Sequence, residues 1–330
     1  MKHAWLSRFA AMGAATMSLI CCANTAVAQS FPARPIVLVV PFAAGGPTDV
    51  LARTLAQAMS KHLGQSVVVE NTAGAGGTIA AGRVSRASSD GHTLLIHHNG
   101  MASSVGLYRK LAFNPLTDFE YISQVADVPM TLLARKTLPP NTLQELITYL
   151  KENKEKMNLA HAGLGAVSQL CGMLFQKAIG VDLTTVPYKG TAPAMTDLLG
   201  GQVDVLCDQT TQTIQHINAG TVKMYGVTTD KRIAALPNSP TLQEGGLKGF
   251  QMVVWHGVYA PKGTPRAIQA KLTESIQMSL KDPDVMRRIA ELGAEIVPVE
   301  KQTSEGLRTW VKSEIDKWVP IIKAAGQYAD

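Results

Sequence analysis

The feature that most constrains the fold is a short apolar strand that ends in a glycine turn and is followed at once by a helix. The strand covers residues 36–42, the turn contains Gly45 and Gly46, and an apolar-periodic helix covers residues 48–63. A second strand at residues 66–70 is again fully apolar at its centre. Apolar strands joined by helical crossovers predict a mainly parallel sheet with helices on both faces.

The same pattern recurs with a second glycine turn at residues 71–77, a helix at residues 78–87 and a strand at residues 93–97. Ligands of such sheets bind beyond the carboxyl ends of the strands. Glycine turns let backbone N–H groups approach a ligand, and a helix N-terminus favours an anion. The two turns therefore predict a carboxylate or phosphate cradle, with an ordinary strand–helix connection as the alternative.

Strands and helices alternate again between residues 130 and 228, which predicts a second α/β unit of about one hundred residues. The last helix carries apolar residues at three- and four-residue spacing, among them Trp310 and Trp318. We interpret these tryptophans as core packing.

The N-terminus has the pattern of a signal peptide. Lys2 and Arg8 precede a small-residue apolar segment at residues 10–23, and Ala26 and Ala28 occupy the positions that a signal peptidase recognises. Cleavage after Ala28 would release an exported, periplasmic chain. A lipoprotein is the alternative, but neither cysteine in this segment follows a clear lipobox.

The charge excludes some partners. The net charge of +6 is mild, no dense Lys/Arg tract is present, and aromatic residues are few, so neither nucleic acid nor a membrane surface is expected to bind.

Cys171 and Cys207 are the cysteines that remain after cleavage. An oxidising compartment favours one disulfide between them. Two buried free thiols are the alternative, because the sequence does not give the Cα separation.

No catalytic or metal-binding motif is present. The sequence lacks GxSxG, a phosphate-loop motif, HExxH and CxxC. His97 and His98 are adjacent on a strand, so we expect one to point inward and the other outward. Asp204 and Asp208 are expected to lie too far apart for acid–base chemistry. The sequence predicts no enzyme, metal site or cofactor.

The chain resembles the Bug-type periplasmic substrate-binding receptors of tripartite tricarboxylate transporters. The matching segments follow one another through most of the chain: RPI at residues 34–36 with VVPFAAGG at 39–46, EN at 70–71 with GAGG at 74–77, DG at 90–91, VPYKG at 186–190, APA at 192–194 with DLLGGQVD at 197–204, WHG at 255–257, and AP at 260–261 with GTP at 263–265.

The resemblance implies a two-lobed, type II-like periplasmic-binding-protein fold with the ligand in the cleft between the lobes. Each lobe would be a mainly parallel sheet flanked by helices. Chain crossings near residues 126–130 and 225–230 would form the hinge. Lobe 1 would then comprise residues 29–127 plus 230–330, and lobe 2 residues 128–229.

The implied function is a monomeric receptor that closes around a small carboxylate and presents it to membrane permease subunits. The implied ligand-binding residues come from both lobes. From lobe 1 they are Phe42, Ala44, Gly45 and Gly46 at a carboxylate, Asp49 as an anchor of the following helix, and Ala75, Asn99 and Met101 as lining. From lobe 2 they are Gly165, Ala166 and Ser168 at a helix start, and Thr191 and Asp208 as walls.

The chain departs from the common family pattern at Cys207 and Gln209, where many members carry an apolar residue and Asn. Cys171 lies in a helix that could pack beside this strand, which motivates the disulfide hypothesis. A secreted enzyme acting on a small carboxylate and an occupancy sensor for a membrane kinase are the alternative functions. The sequence leaves dicarboxylates, citrate, acidic amino acids and aromatic acids open as ligands.

Overall fold

The computed structural model describes residues 31–324, 326, 328 and 329, so the predicted signal peptide at residues 1–28 lies outside the described residues. Contacts divide the chain into residues 1–33 and residues 34–330. All strands and helices described below belong to the second unit.

Ten strands form one sheet within the described residues. They are β1 Ile36–Val40, β2 Val67–Asn71, β3 Thr93–His97, β4 Phe119–Arg135, β5 Asn158–His161, β6 Thr184–Pro187, β7 Val205–Gln209, β8 Val222–Val227, β9 Val253–Pro261 and β10 Glu295–Ile296.

Helices cover these strands. They are α1 Pro47–Leu63, α2 Thr78–Val84, α3 Gly100–Leu107, α4 Leu143–Asn153, α5 Val167–Ile179, α6 Thr191–Leu199, α7 Thr210–Asn218, α8 Arg266–Leu280, α9 Pro283–Glu291 and α10 Ser304–Ala324, with short 3₁₀ turns at Ala75–Gly77, Lys154–Lys156 and Val299–Lys301. None of the helices in the described part of the chain is both long and apolar enough to cross a bilayer.

The sheet has the order β2-β1-β3-β9-β4-β7-β5-β6, with β8 and β10 also paired to β4. We call β2, β1, β3, β9, β10 and the first part of β4 the first half-sheet, and the second part of β4 with β7, β8, β5 and β6 the second half-sheet. β1 is parallel to β2 and β3, and β5 is parallel to β6 and β7. The predicted α/β fold is confirmed, while β4 and β9 add antiparallel pairing at the centre of the sheet.

Strand β4 runs through both half-sheets and changes its partners in the middle. Pro129 is its last residue paired with β9, and Met130 is its first paired with β7. The Thr228 hydroxyl accepts a hydrogen bond from the Met130 N–H at 3.1 Å and donates one to the Met252 carbonyl at 2.6 Å. The Thr228 side chain thus links β4, the end of β8 and the segment before β9 by hydrogen bonds where the two half-sheets meet.

Each half-sheet has its own apolar cluster. The first contains Val39, Leu95, Phe119 and Tyr259, with Trp310 packed against it, and the second contains Leu133, Ala160, Leu198 and Leu206. Trp318 is also buried, so both tryptophans of α10 pack as predicted.

Candidate ligand-binding site

Four helices begin at one small cavity between the half-sheets. The first half-sheet side contributes Phe42, Pro47, Thr48 and His98, and the second contributes Ala166, Ser168, Thr191, Asp208 and Gln209, among others. Pro47 starts α1, Val167 starts α5, Thr191 starts α6, and Gln209 is the N-cap of α7. Helix N-termini carry unpaired N–H groups and partial positive charge, so their convergence favours an anion.

The glycine turn before α1 is held by the protein itself. The Ala43 N–H donates to the Lys189 carbonyl at 3.0 Å, which lies on the second half-sheet side. The Gly45 N–H donates to Asp49 Oδ2 at 2.9 Å, and the Gly46 N–H donates to the Ala43 carbonyl at 3.3 Å. Ala44 and Gly45 are exposed, whereas Phe42 lines the cavity. In this arrangement these amides therefore contact protein groups, and the first N–H groups of α1 lie nearer to the cavity.

Asp49 fixes the turn and the start of α1. Its carboxylate accepts hydrogen bonds from the Gly45 N–H, from Arg53 Nε at 2.9 Å and from Asn71 Nδ2 at 2.9 Å. Burial opposes ionisation, but the hydrogen bonds from Arg53, Gly45 and Asn71 outweigh it and lower the pKa of Asp49 below 3.8. Asp49 is thus an ionised support beneath the turn.

The residues assigned to the site by the family resemblance that do not line the cavity include Ala44, Gly45, Gly46, Asp49 and Gly165, which lie in or beside the turns described here, and Ala75, Asn99 and Met101, which lie further away. Met101 is fully buried in the first apolar cluster. The Asn99 side chain accepts a hydrogen bond from the Trp255 N–H at 3.2 Å and donates to the Val253 carbonyl at 3.3 Å. Ala75 is exposed, and its carbonyl accepts a hydrogen bond from Tyr108 at 2.7 Å. Here these residues support the fold around the site, and their contact with a ligand stays a prediction.

The expectation that one of His97 and His98 points outward is wrong, because both side chains are buried. β3 ends at His97, so His98 leaves the strand and its ring stacks on Phe42 with centroids 4.7 Å apart. Burial lowers the pKa of His98 well below 6.5 and that of His97 to about 3, which keeps both rings neutral. His98 lines the cavity and was not assigned to the site from the sequence, although its place at the carboxyl end of a parallel strand could have indicated it. In the described part of the chain, no group of three or more His, Cys, Asp or Glu residues could hold a metal ion.

The start of α5 supplies the opposite wall. Ser168 Oγ accepts a hydrogen bond from the Ala162 N–H at 2.7 Å, which leaves its hydroxyl hydrogen available as a donor. The Gly165 carbonyl accepts a hydrogen bond from Ser103 Oγ at 2.9 Å, across the gap between the half-sheets. Thr191 Oγ1 donates to Gln212 Oε1 at 3.0 Å, which holds the start of α6 against α7.

Asp208 is the charged side chain among the residues described as lining the cavity. It is fully buried, and no described donor reaches either carboxylate oxygen in good hydrogen-bonding geometry. Burial raises the pKa of Asp208 to about 7, although Thr191 and the Gln209 N–H nearby partly oppose the rise. Because the pKa of Asp208 is higher in the folded than in the unfolded protein, protonation of Asp208 stabilises the folded state. This contribution is fully present below about pH 4 and is lost as the pH rises through about 7.

A disulfide joins Cys171 of α5 to Cys207 of β7, with the two Cα atoms 6.1 Å apart. The disulfide hypothesis is therefore confirmed. The bond lies three residues after Ser168 and one residue before Asp208, so it connects the two elements that carry these lining side chains.

The half-sheets contact each other around the cavity. A Cβ atom added to Gly76 would lie 1.9 Å from the Leu164 carbonyl oxygen, so this approach requires glycine. The cavity measures about 20 Å³, enough for about one water molecule. A small organic acid can therefore enter only if the half-sheets separate.

Gly46→Val is expected to weaken ligand binding by about tenfold. A Cβ at Gly46 would meet the Ala43 carbonyl at 3.2 Å and Ala192 of the opposite side at 3.9 Å, so the valine methyl groups would push the halves apart. Calorimetry on the folded variant measures the effect. Gly200→Val is the control, because Gly200 has a similar φ and lies exposed at the far end of α6. Equal affinities of the two variants would contradict the prediction.

Comparison with known proteins gives consistent matches along most of the chain. A family model described as tripartite tricarboxylate transporter family receptor matches residues 51–327. The UPF0065 protein from the TAR-I ttuE-ttuC' intergenic region of Agrobacterium vitis is 47% identical over 299 residues, which cover 91% of this chain and 86% of that protein.

Solved structures of periplasmic binding proteins are also similar to this chain. The structure of the periplasmic binding protein BugD is 50% identical, with a TM-score of 0.88, over 90% of this chain and 99% of BugD. MatC of Rhodopseudomonas palustris, solved with bound malate, is 42% identical with a TM-score of 0.85, over 88% of this chain and 100% of MatC. Both are similar to this chain over nearly their whole length.

Proposed function

This chain belongs to the tripartite tricarboxylate transporter receptor family, and on this premise we propose that it is an exported receptor that binds a small carboxylate between two lobes and delivers it to membrane permease subunits. The observation that carries the proposal is the convergence of four helix N-termini on one cavity. Each such terminus stabilises an anion by about 0.3–1 kcal/mol at exposed sites and by more in partly buried ones.

A carboxylate ligand is supported in two further ways. Apart from Asp208, the cavity lining consists of neutral residues and helix starts, which suits recognition of a carboxylate by N–H and hydroxyl groups. In addition, MatC was solved with malate, a small dicarboxylate.

A hinge at residues 126–130 is supported by β4, whose pairing partner changes between Pro129 and Met130. The proposed lobes follow the two half-sheets. The chain returns from the second lobe to the first at a boundary that the family resemblance places between residues 229 and 230. The contacts of the segment after β8 indicate where this boundary lies. Ile233 and Leu236 pack with Ile214 and Val227, and the Leu242 N–H donates to the Val227 carbonyl. These contacts favour moving that boundary to about residue 252.

Binding would involve opening and closing about this hinge. Ala43–Lys189 and Ser103–Gly165 are direct hydrogen bonds between the sides, so the described arrangement is closed. Opening would break them and admit the ligand, and closing would exclude water and bring both walls onto it. We propose that the closed, monomeric form is the one that the permease recognises, in the periplasm, after cleavage of the signal peptide at Ala28.

The proposal is tested by identifying the natural ligand. Protein purified from the periplasm without dialysis is expected to release a small carboxylic acid that mass spectrometry can identify. Calorimetry with that acid should give one site per chain. The acid should also be recovered unchanged after prolonged incubation. Conversion into a product would favour the alternative of a secreted enzyme and contradict the receptor proposal.

A further inference from the structure

We infer that the site selects carboxylates that also carry an ammonium group, which is the chemistry of an amino acid. The inference rests on the proposed function and narrows its ligand class. It is carried by buried hydrogen-bond acceptors at the cavity for which no described residue places a donor in hydrogen-bonding geometry. The Thr191 hydroxyl and the Gln209 N–H lie near Asp208, but the Thr191 hydroxyl donates to Gln212 Oε1.

Three acceptor atoms at the cavity are buried and unpartnered. They are both carboxylate oxygens of Asp208 and Oε1 of Gln209, and both residues line the cavity. Asp208 is 0% exposed and Gln209 is 5% exposed, so water outside the site does not satisfy them. Buried acceptors without donors are costly, and proteins rarely keep them without a reason. The missing partner is therefore a donor that enters with the ligand.

No described residue in the cavity lining supplies a cation to balance Asp208. Among the described residues that line the cavity there is no Lys or Arg. His98, the other titratable side chain in the lining, is kept neutral by burial. His161 lies on the neighbouring strand β5, and burial lowers its pKa as well. An unpaired buried carboxylate takes up either a proton or a positive ligand group.

The number of donors distinguishes the ligand classes. An ammonium group has three N–H donors and a positive charge, which matches three acceptors and one negative charge. A hydroxyl group supplies one donor and no charge, so it would leave two acceptors unpaired. An unsubstituted dicarboxylate supplies none and would meet Asp208 as a like charge. Sites built to hydrogen-bond a ligand group reject analogues that lack it far more strongly than apolar pockets reject a missing methylene.

The test is calorimetry with acids that share a carbon skeleton. The probes are aspartate, malate and succinate, and separately glutamate and glutarate, each titrated into dialysed protein. At least one amino acid is expected to bind at least 100-fold more tightly than its unsubstituted analogue. Its affinity should rise about tenfold between pH 6 and pH 8, because protonated Asp208 competes with the ammonium group.

Asp208→Asn provides the second arm of the test. It should reduce the affinity for the amino acid at least 100-fold and leave that for succinate unchanged or higher. Asp182→Asn makes the same chemical change at an exposed position of the second half-sheet side and should have no effect. Circular dichroism and thermal melting confirm that both variants are folded.

The outcomes separate this inference from the proposed function. Tight binding of succinate or malate in preference to the amino acids would overturn the inference and leave the receptor function standing. Unchanged amino acid affinity in folded Asp208→Asn would also overturn it. Binding of none of the five acids, together with chemical conversion of a co-purified acid, would count against both.

Discussion

Gly76→Ala is expected to abolish tight ligand binding while leaving the lobes folded. A Cβ at this position would lie 1.9 Å from the Leu164 carbonyl oxygen and 3.4 Å from the Ala166 N–H nitrogen, both on the opposite side of the cleft. Backbone atoms cannot rotate away as a flexible side chain can. The variant therefore closes only after the two sides shift relative to each other, and we expect a loss of affinity of at least 100-fold.

Gly45→Ala is the matched control for this experiment. Gly45 has a φ of +77° and Gly76 a φ of +60°, so an alanine at either position costs about 1–2 kcal/mol of backbone strain. A Cβ at Gly45 meets nothing within 4 Å. Calorimetry should therefore show near-normal binding for Gly45→Ala and almost none for Gly76→Ala. Small-angle scattering should show contraction on ligand addition for Gly45→Ala alone. If Gly76→Ala binds and contracts normally, the closed arrangement is not the ligand-bound one.

Removal of the disulfide is expected to lower the free energy of unfolding by about 4 kcal/mol. The sequence separation between Cys171 and Cys207 is 36 residues, and a cross-link of that span restricts the unfolded chain considerably. Urea denaturation of Cys171→Ala/Cys207→Ala measures the loss. Affinity should fall as well, because the bond ties the element carrying Ser168 to the strand carrying Asp208.

Wild-type protein treated with a reductant separates the bond from the packing of the cysteine side chains, both of which are fully buried. Reduced wild type and the double variant should unfold at similar urea concentrations, and reductant should leave the variant unchanged. A difference of less than 1 kcal/mol between oxidised and reduced wild type would contradict the prediction.

The sequence predicted the elements of the fold better than their assembly. The apolar strand runs and helical periodicities are local patterns, and they predicted β1, α1 and β2 closely. The insertion of β9 between β3 and β4 depends on pairing between residues more than one hundred positions apart, such as Leu95 with Tyr259. Periodicity carries no information about such partners.

In the candidate site, too, local sequence patterns predicted some features, whereas features that depend on tertiary packing were not predicted. The glycine turn before α1 predicted one of the helix starts at the cavity, whereas α2, which follows the second glycine turn, does not begin there. Which amides are free depends on tertiary partners, since Asp49 and Lys189 take hydrogen bonds from the first turn. Thr48 and His98 were missed because the contacts that bury them come from distant parts of the sequence. Thr48 Oγ1 lies 3.2 Å from His256 Nε2, and the centroids of the His98 and His256 rings are 5.8 Å apart. Asp208 was identified, but its unpartnered oxygens could be recognised only once the surrounding groups were known.

Strand β4 has a consequence for engineering this receptor. The continuous strand β4 pairs with β9 up to Pro129 and with β7 from Met130 onward. Cutting the chain between these residues would therefore leave strand edges with unpaired N–H and C=O groups on both fragments. Neither fragment would be an independent module. Chimeras that aim to exchange ligand preference between relatives should therefore graft loops and helix starts onto an intact β4, since transplanting a whole lobe would sever the ladder that holds both together.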